Sequence, residues 1–213
     1  MAVVLRSVLA IIAGYLLGSF PSAYLAARLV KGRDIRDIGE GNMGTLNALR
    51  GVGLVPGILV FIADVFKGVA AVLMARWLGV SLLVTFIAGL AAIAGHSWSV
   101  FRGFKGGRGG ATAYGVLAAF APLAGLIAFF VMLLTMVLTS NGRLSLMAGF
   151  VSLPLLMWAF DLKLLVIIYA LIVPFLLAVR MLIVDRAKIR SPETRRNLIV
   201  DHDYTWWQAK RKR

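Results

Sequence analysis

The chain has 213 residues, 61% of them hydrophobic, with a formal net charge of +14 and a mean hydropathy of +0.90. That apolar share exceeds what a water-soluble domain carries, and the long, evenly oily runs without ten-residue alternation point to helical spans and away from a barrel. The absence of cysteine excludes disulfides and thiolate chemistry, two histidines make a His-rich metal site untenable, and the basic charge, gathered between and after the oily runs, reads as membrane topology and not as nucleic-acid binding.

A first span is expected over about 2–27, bent where Gly18 and Pro21 fall. It lacks a small-x-small cleavage site, so it reads as retained and not as a signal peptide. A polar loop follows, Arg28 to Arg50, then spans over about 52–76 and 80–99. Next comes Gly103-Phe104-Lys105-Gly106-Gly107-Arg108-Gly109-Gly110, five glycines in eight residues. Such a loop can aim backbone N–H groups at an anion, while Lys and Arg add charge. Since the apolar run resumes at Ala111, the loop is expected at a helix N-terminus, which also favours phosphate. The bland alternative is a basic loop that only sets topology.

From Ala111 to Thr139 the oily run is longer than one span needs, with Pro122 inside it. Runs at Leu144–Phe160 and Leu162–Val179 follow, and a tail with ten basic residues from Arg180 to Arg213. The positive-inside rule places the loops at 28–50 and 102–110 and the tail on the cytoplasmic side. Only an odd number of spans allows this, so the 111–139 run is split near Pro122. The expectation is an all-α integral membrane protein: a seven-transmembrane-helix bundle with its N-terminus outside and its C-terminus cytoplasmic. Residues 1–180 form the membrane domain and 181–213 a basic cytoplasmic tail, whose Tyr204-Thr205-Trp206-Trp207 and terminal Lys/Arg suit anionic headgroups. Trp158 and Tyr169 read as interface or packing aromatics.

Asp64 and Lys67 lie within the second span at i, i+3. They read as a structural ion pair or as support for a polar site at the cytoplasmic end. A second glycine-rich stretch, Gly39 to Arg50, offers neutral donors on Asn42, Thr45 and Asn47 and ends in Arg50, suited to a bidentate phosphate contact. Two such loops on one face make a site for one or two phosphate-bearing ligands.

These residues resemble the PlsY family of bacterial membrane acyl-phosphate:glycerol-3-phosphate acyltransferases. Gly18-Ser19-Phe20-Pro21, Asp34-Ile35-Arg36, Gly39-x-Gly41-Asn42-x-Gly44, Asn47 and Arg50 look like its first motif. Gly95-His96, Phe101, Gly103 to Gly109 and Ala111-Thr112 look like its second, and Asp64-x-x-Lys67-Gly68 is similar too. The resemblance implies transfer of a fatty acyl group from acyl phosphate to the 1-hydroxyl of glycerol 3-phosphate, giving lysophosphatidic acid, the first step of phospholipid synthesis. It also implies seven spans in the bacterial inner membrane, a site facing the cytoplasm, no cofactor and no metal. Its catalytic residues would be Arg50, His96 and Lys105, to which this chain's own Glu40 is added as a candidate catalytic residue. Substrate would be bound by Gly41, Asn42, Gly44, Thr45, Asn47, Gly106, Gly107, Arg108 and Gly109. Partners would be the two substrates and the bilayer.

The chain departs from the family in three places. Glu40 stands where the family has Ser, and Leu46 where it has Thr. The third motif is degenerate, with Asp185 and Lys188 in place of His and Asn; His202 could replace the lost His only if the tail folds back. Glu40 could serve as a general base, or pair with Arg50 or Lys105 and close the site. Two alternatives therefore stand beside the acyltransferase: a silent homologue that binds phosphorylated lipid precursors, and an acyl-phosphate-dependent enzyme with a different acceptor. A transporter finds less support, because there is no internal repeat.

Overall fold

The computed structural model describes residues 1–184, and every regular element among them is helical. Six segments are long and apolar enough to cross a membrane by length and composition: Ala2–Lys31, Leu54–Trp77, Leu82–Arg102, Pro122–Thr139, Gly142–Ala159 and Leu164–Leu182. A seventh, Gly110–Phe120, is shorter. The expected split of the 111–139 run is present: one helix stops at Phe120 and the next starts at Pro122, where proline suits a first turn. Chain contacts divide the protein into two units that meet at Pro122, and each is described separately.

The first unit, Met1–Pro122, holds helices α1 (Ala2–Ser19), α2 (Ser22–Lys31), α3 (Thr45–Gly51), α4 (Leu54–Trp77), α5 (Leu82–Ser97) and α6 (Gly110–Phe120). The first span is broken outright at Phe20-Pro21, not merely bent, because proline has no N–H to continue the ladder. Backbone carbonyls freed at such a break need new donors in an apolar setting. Lys67 Nζ donates to the Phe20 carbonyl at 3.2 Å, and Ser99 Oγ to that of Ser19 at 2.6 Å.

The face of α4 that turns inward carries Gly57, Val60, Asp64, Lys67, Gly68, Ala71 and Ala75, the spacing of one side of a 3.6-residue helix. Leu59, Phe66 and Leu73 stay exposed, as lipid-facing positions do. Helix α1 packs on α4 and α5, and α4 packs on α6. Backbones approach closely at small residues: Gly18 lies against the Ala92 carbonyl, Gly95 against that of Tyr15, and Gly115 against that of Val65. In lipid this dispersion packing replaces the hydrophobic drive that holds helices together in water.

The loop expected over 28–50 is more ordered than its composition suggests. It contains a 3-10 turn at Ile35–Asp37, and residues 45–51 form α3, so its last turns are helical and not loop. Ile35, Met43 and Ala48 are buried together with Ala23, Ala27 and Val60, and this small core fixes the glycine-rich segment to α2 and α4.

The second unit holds α7 (Pro122–Thr139), α8 (Gly142–Ala159) and α9 (Leu164–Val184). Asn141 caps α8, its Oδ1 accepting from Arg143 N and Leu144 N. Ser145 Oγ donates to the Met132 carbonyl at 2.5 Å, tying α8 to α7. Helix α9 continues past Arg180, where the sequence places the start of the tail. Trp158 is exposed and Tyr169 buried, one at a surface and one in packing.

Candidate active site

Asn47 is the hub of the first glycine-rich loop. Its Nδ2 donates to the carbonyls of Ile35, Ile38 and Asn42, and its Oδ1 accepts from Glu40 N at 2.8 Å. Asn42 Oδ1 accepts from Gly44 N. These side chains shape the loop from within. Thr45, at the start of α3, keeps its Oγ1 buried with no hydrogen-bond partner among the described residues.

The second loop runs from the end of α5 to the N-terminus of α6, so its expected place at a helix N-terminus is met. Gly109, with φ +86°, lies where side chains are disfavoured and sets up the turn into α6. A Cβ on Gly106 would strike the His96 carbonyl, and one on Gly107 the His96 ring and the Met43 carbonyl. Gly107 N donates to the His96 carbonyl at 3.0 Å. The glycines thus let the second loop lie directly on the end of α5 and on the first loop.

Ion pairs join the two loops. Glu40 Oε1 meets Arg50 Nη1 at 3.1 Å, and its Oε2 meets Arg108 Nη1 at 2.9 Å, with Asn42 Nδ2 3.2 Å from Oε2. Asp34 takes hydrogen bonds from Arg36 in its own loop and from Arg102 in the other, at 2.7 Å each. The Arg36 guanidinium, before the other neighbours, holds the Asp34 carboxyl down at about 2. Arg102 also lies over the Tyr24 ring, 3.5 Å from its centroid. Lys105 is exposed and makes no hydrogen bond or ion pair among the described residues.

Beneath the loops lies a buried polar cluster. Asp64 Oδ1 accepts from Ser22 Oγ at 2.5 Å and pairs with Lys67 Nζ at 2.9 Å. His96 Nδ1 lies 3.6 Å from the same oxygen and 3.2 Å from Thr112 Oγ1. His96 Nε2 points toward Gly107, at the second loop. A cleft with about 10 Å³ of water-accessible volume, room for about one water, is lined by Phe20, Ser22, Met43, Lys67, His96 and Ser99. The Asp64–Lys67 pair of the second span is therefore real, and it touches the histidine of the site.

The first unit thus gathers Glu40, Gly41, Asn42, Gly44, Thr45, Asn47, Arg50, His96, Lys105, Gly106, Gly107, Arg108 and Gly109 on its two loops and the helix ends beside them. Asp185, Lys188 and His202 lie outside the described residues. Sequence reasoning did not assign roles to Asp34, Arg102, Ser22 or Thr112. Asp34 stood inside the first motif and Arg102 at the start of the 102–110 loop, but only the fold pairs them. No group of three or more His, Cys, Asp or Glu able to hold a metal occurs among the described residues.

The family described as glycerol-3-phosphate acyltransferase matches residues 8–191. A glycerol-3-phosphate acyltransferase of Dehalococcoides mccartyi is 36% identical over 200 residues, covering 91% of this chain and 96% of the relative. One from Parasynechococcus marenigrum is 44% identical over 155 residues, 73% of each chain. The crystal structure of PlsY, an integral membrane glycerol 3-phosphate acyltransferase, in its glycerol 3-phosphate form superposes with a TM-score of 0.79. It shares 32% identity, over 96% of this chain and 98% of that one. The lysophosphatidic acid form superposes at 0.71, with 30% identity over 86% and 90% of the chains. Matched along most of its length in sequence and in fold, this multi-pass membrane protein belongs to the glycerol-3-phosphate acyltransferase (PlsY) family.

Proposed function

We propose that this protein transfers a fatty acyl group from acyl phosphate to the 1-hydroxyl of glycerol 3-phosphate, releasing lysophosphatidic acid and inorganic phosphate. Family membership supports the acyltransferase activity and the acceptor. The observation that carries the reading is the meeting of Arg50 and Arg108 at Glu40, on loops one of which packs its Gly106 and Gly107 against His96 and also carries Lys105 and the N-terminus of α6, a cationic site suited to phosphate.

Acyl phosphate is an activated mixed anhydride, so positioning and charge neutralisation suffice to drive attack by a hydroxyl. Arg50, Arg108 and Lys105 neutralise phosphate, with Thr45 Oγ1 and the loop backbone as neutral donors. His96 Nε2 takes the proton of the attacking hydroxyl while Thr112 and Asp64 hold Nδ1. As oxygen bonds to the acyl carbon, the anhydride bond breaks and its electron pair leaves with phosphate. Asn42 and Asn47 act by shaping the loop that presents Arg50. The acyl chain lies between spans, entering from the lipid.

We place the protein in the bacterial inner membrane with both loops cytoplasmic, the N-terminus outside, and residues 181–213 as a basic cytoplasmic tail. The Lys/Arg excess of the loops and tail supports this orientation. A reporter fused at Arg213 should read out as cytoplasmic; an external readout overturns the topology.

The activity is tested by phosphate release from palmitoyl phosphate by the protein in bilayers, with and without glycerol 3-phosphate. Acceptor-dependent release, lost in Lys105→Ala, supports the reading. Protein that binds acyl phosphate without release is a silent homologue. Release that requires another polyol phosphate marks a different acceptor.

A further inference from the structure

Glu40 brings a negative charge into the place where the two loops concentrate their positive charge. Both its oxygens are engaged: Oε1 by Arg50, and Oε2 by Arg108 and Asn42. Three donors from two loops thus converge on one carboxylate, which carries the paired oxygens that a phosphate also presents. We infer that Glu40 is a resident competitor at this anion subsite, holding Arg50, Arg108 and Asn42 until the phosphate of a phosphomonoester, or inorganic phosphate, displaces it. The inference rests on the proposed function for the identity of its ligand.

Charge favours the exchange. The Arg50 and Arg108 guanidiniums both face the Glu40 carboxylate, and Lys105, exposed and in no ion pair among the described residues, lies on the same loop as Arg108. A phosphate dianion neutralises the pair more fully than a carboxylate does. The displaced side chain has somewhere to go, being 20% exposed. It sits between Gly39 and Gly41, both at positive φ (+55° and +73°), so the backbone beside it carries no bulky side chain to block its exit. If Glu40 and phosphate were both to remain, like charges would face each other across a few ångströms, which is unfavourable. Substrate binding is therefore an exchange of anions and not an addition.

The experiment measures binding of inorganic phosphate and, separately, of glycerol 3-phosphate to the full chain in nanodiscs by calorimetry, without acyl donor. Wild type is compared with Glu40→Gln, which keeps the shape and loses the charge, and with Glu40→Asp, which keeps the charge. Glu40→Gln should bind both ligands about tenfold more tightly and lower the KM for glycerol 3-phosphate by a similar factor, whereas Glu40→Asp should stay near wild type. Tightening for glycerol 3-phosphate alone assigns the subsite to the substrate, and tightening for both makes it one that product phosphate also fills; either outcome supports the competitor. Equal or weaker binding by Glu40→Gln overturns it. So does a fall in kcat with KM unmoved, the signature of a general base. If Glu40→Gln does not fold, Glu40→Ser carries the same expected tightening. Because binding is read without turnover, a protein that fails to transfer acyl groups yet binds phosphate more tightly as Glu40→Gln refutes the proposed function and leaves this inference standing.

Discussion

Asp34 and Arg102, 68 residues apart in sequence, meet at 2.7 Å and lock the first glycine-rich loop to the segment that leads into the second. The same carboxylate binds Arg36, and Arg102 rests on Tyr24. One acidic side chain thereby ties both loops to α2. Asp34→Asn should loosen both loops and cost about 1–2 kcal/mol, the scale of a charge-assisted hydrogen bond lost at a partly screened site. The effect has a pH signature. The Asp34 carboxyl titrates at about 2 in the folded protein against an ordinary 3.8. Its stabilisation is complete above the ordinary value and drains away as pH falls from about 4 toward 2. Thermal unfolding of wild type and Asp34→Asn should therefore converge across that window, and a gap independent of pH would refute the assignment.

The buried pair in α4 makes a different prediction. Asp64 and Lys67 are almost fully buried and partner each other, Ser22 and the Phe20 carbonyl. Lys67→Met leaves a buried carboxylate short of its cation and the broken end of α1 short of a donor. The cost should be about 3–5 kcal/mol. Replacing both residues with apolar ones of similar size should cost less than Lys67→Met alone, since no charge is left unpaired. Thermal denaturation in detergent ranks the variants, and a double variant worse than the single would show that the pair stabilises beyond mutual neutralisation.

Gly107 should tolerate nothing larger. Its Cβ would enter the His96 ring and the Met43 carbonyl, whereas Gly103 has open space around it. Gly107→Ala is expected to lower kcat/KM by at least tenfold with the fold intact. Gly103→Ala, at φ +63°, should cost about 1 kcal/mol of stability and leave turnover within a fewfold of wild type. Similar kinetics for the two variants would mean that contact between the second loop and His96 does not matter.

Thr112→Val removes the hydroxyl 3.2 Å from His96 Nδ1 at nearly constant volume. A histidine that accepts a proton at Nε2 depends on what holds Nδ1. The expected result is a kcat lowered about tenfold, KM for glycerol 3-phosphate little changed, and an altered pH dependence of kcat; Thr112→Ser should restore it. The carboxylate that faces the same ring nitrogen is that of Asp64 in α4. Unchanged kinetics in Thr112→Val would make His96 a packing residue.

Hydropathy and proline placement determined the spans by themselves, because lipid obliges every backbone polar group to bond within its own helix. The split at Pro122, the place of the interruption at Pro21 (expected as a bend, found as a break) and the buried Asp64–Lys67 spacing were legible for that reason, as were the two glycine-rich loops and the family they mark. Tertiary structure alone decided how the polar residues pair. The sequence offers Asn47 as a phosphate ligand, but the fold spends its amide on three loop carbonyls. It offers the glycines as an anion cradle, and the fold adds a second demand on Gly106 and Gly107, where His96 and Met43 leave no room for a Cβ. Glu40 could have taken Lys105 as its partner; the fold gave it Arg108, 68 residues away, and left Lys105 exposed. Pairings of this kind arise only once helices close at small residues and bring distant loops within hydrogen-bond reach, which local periodicity does not encode.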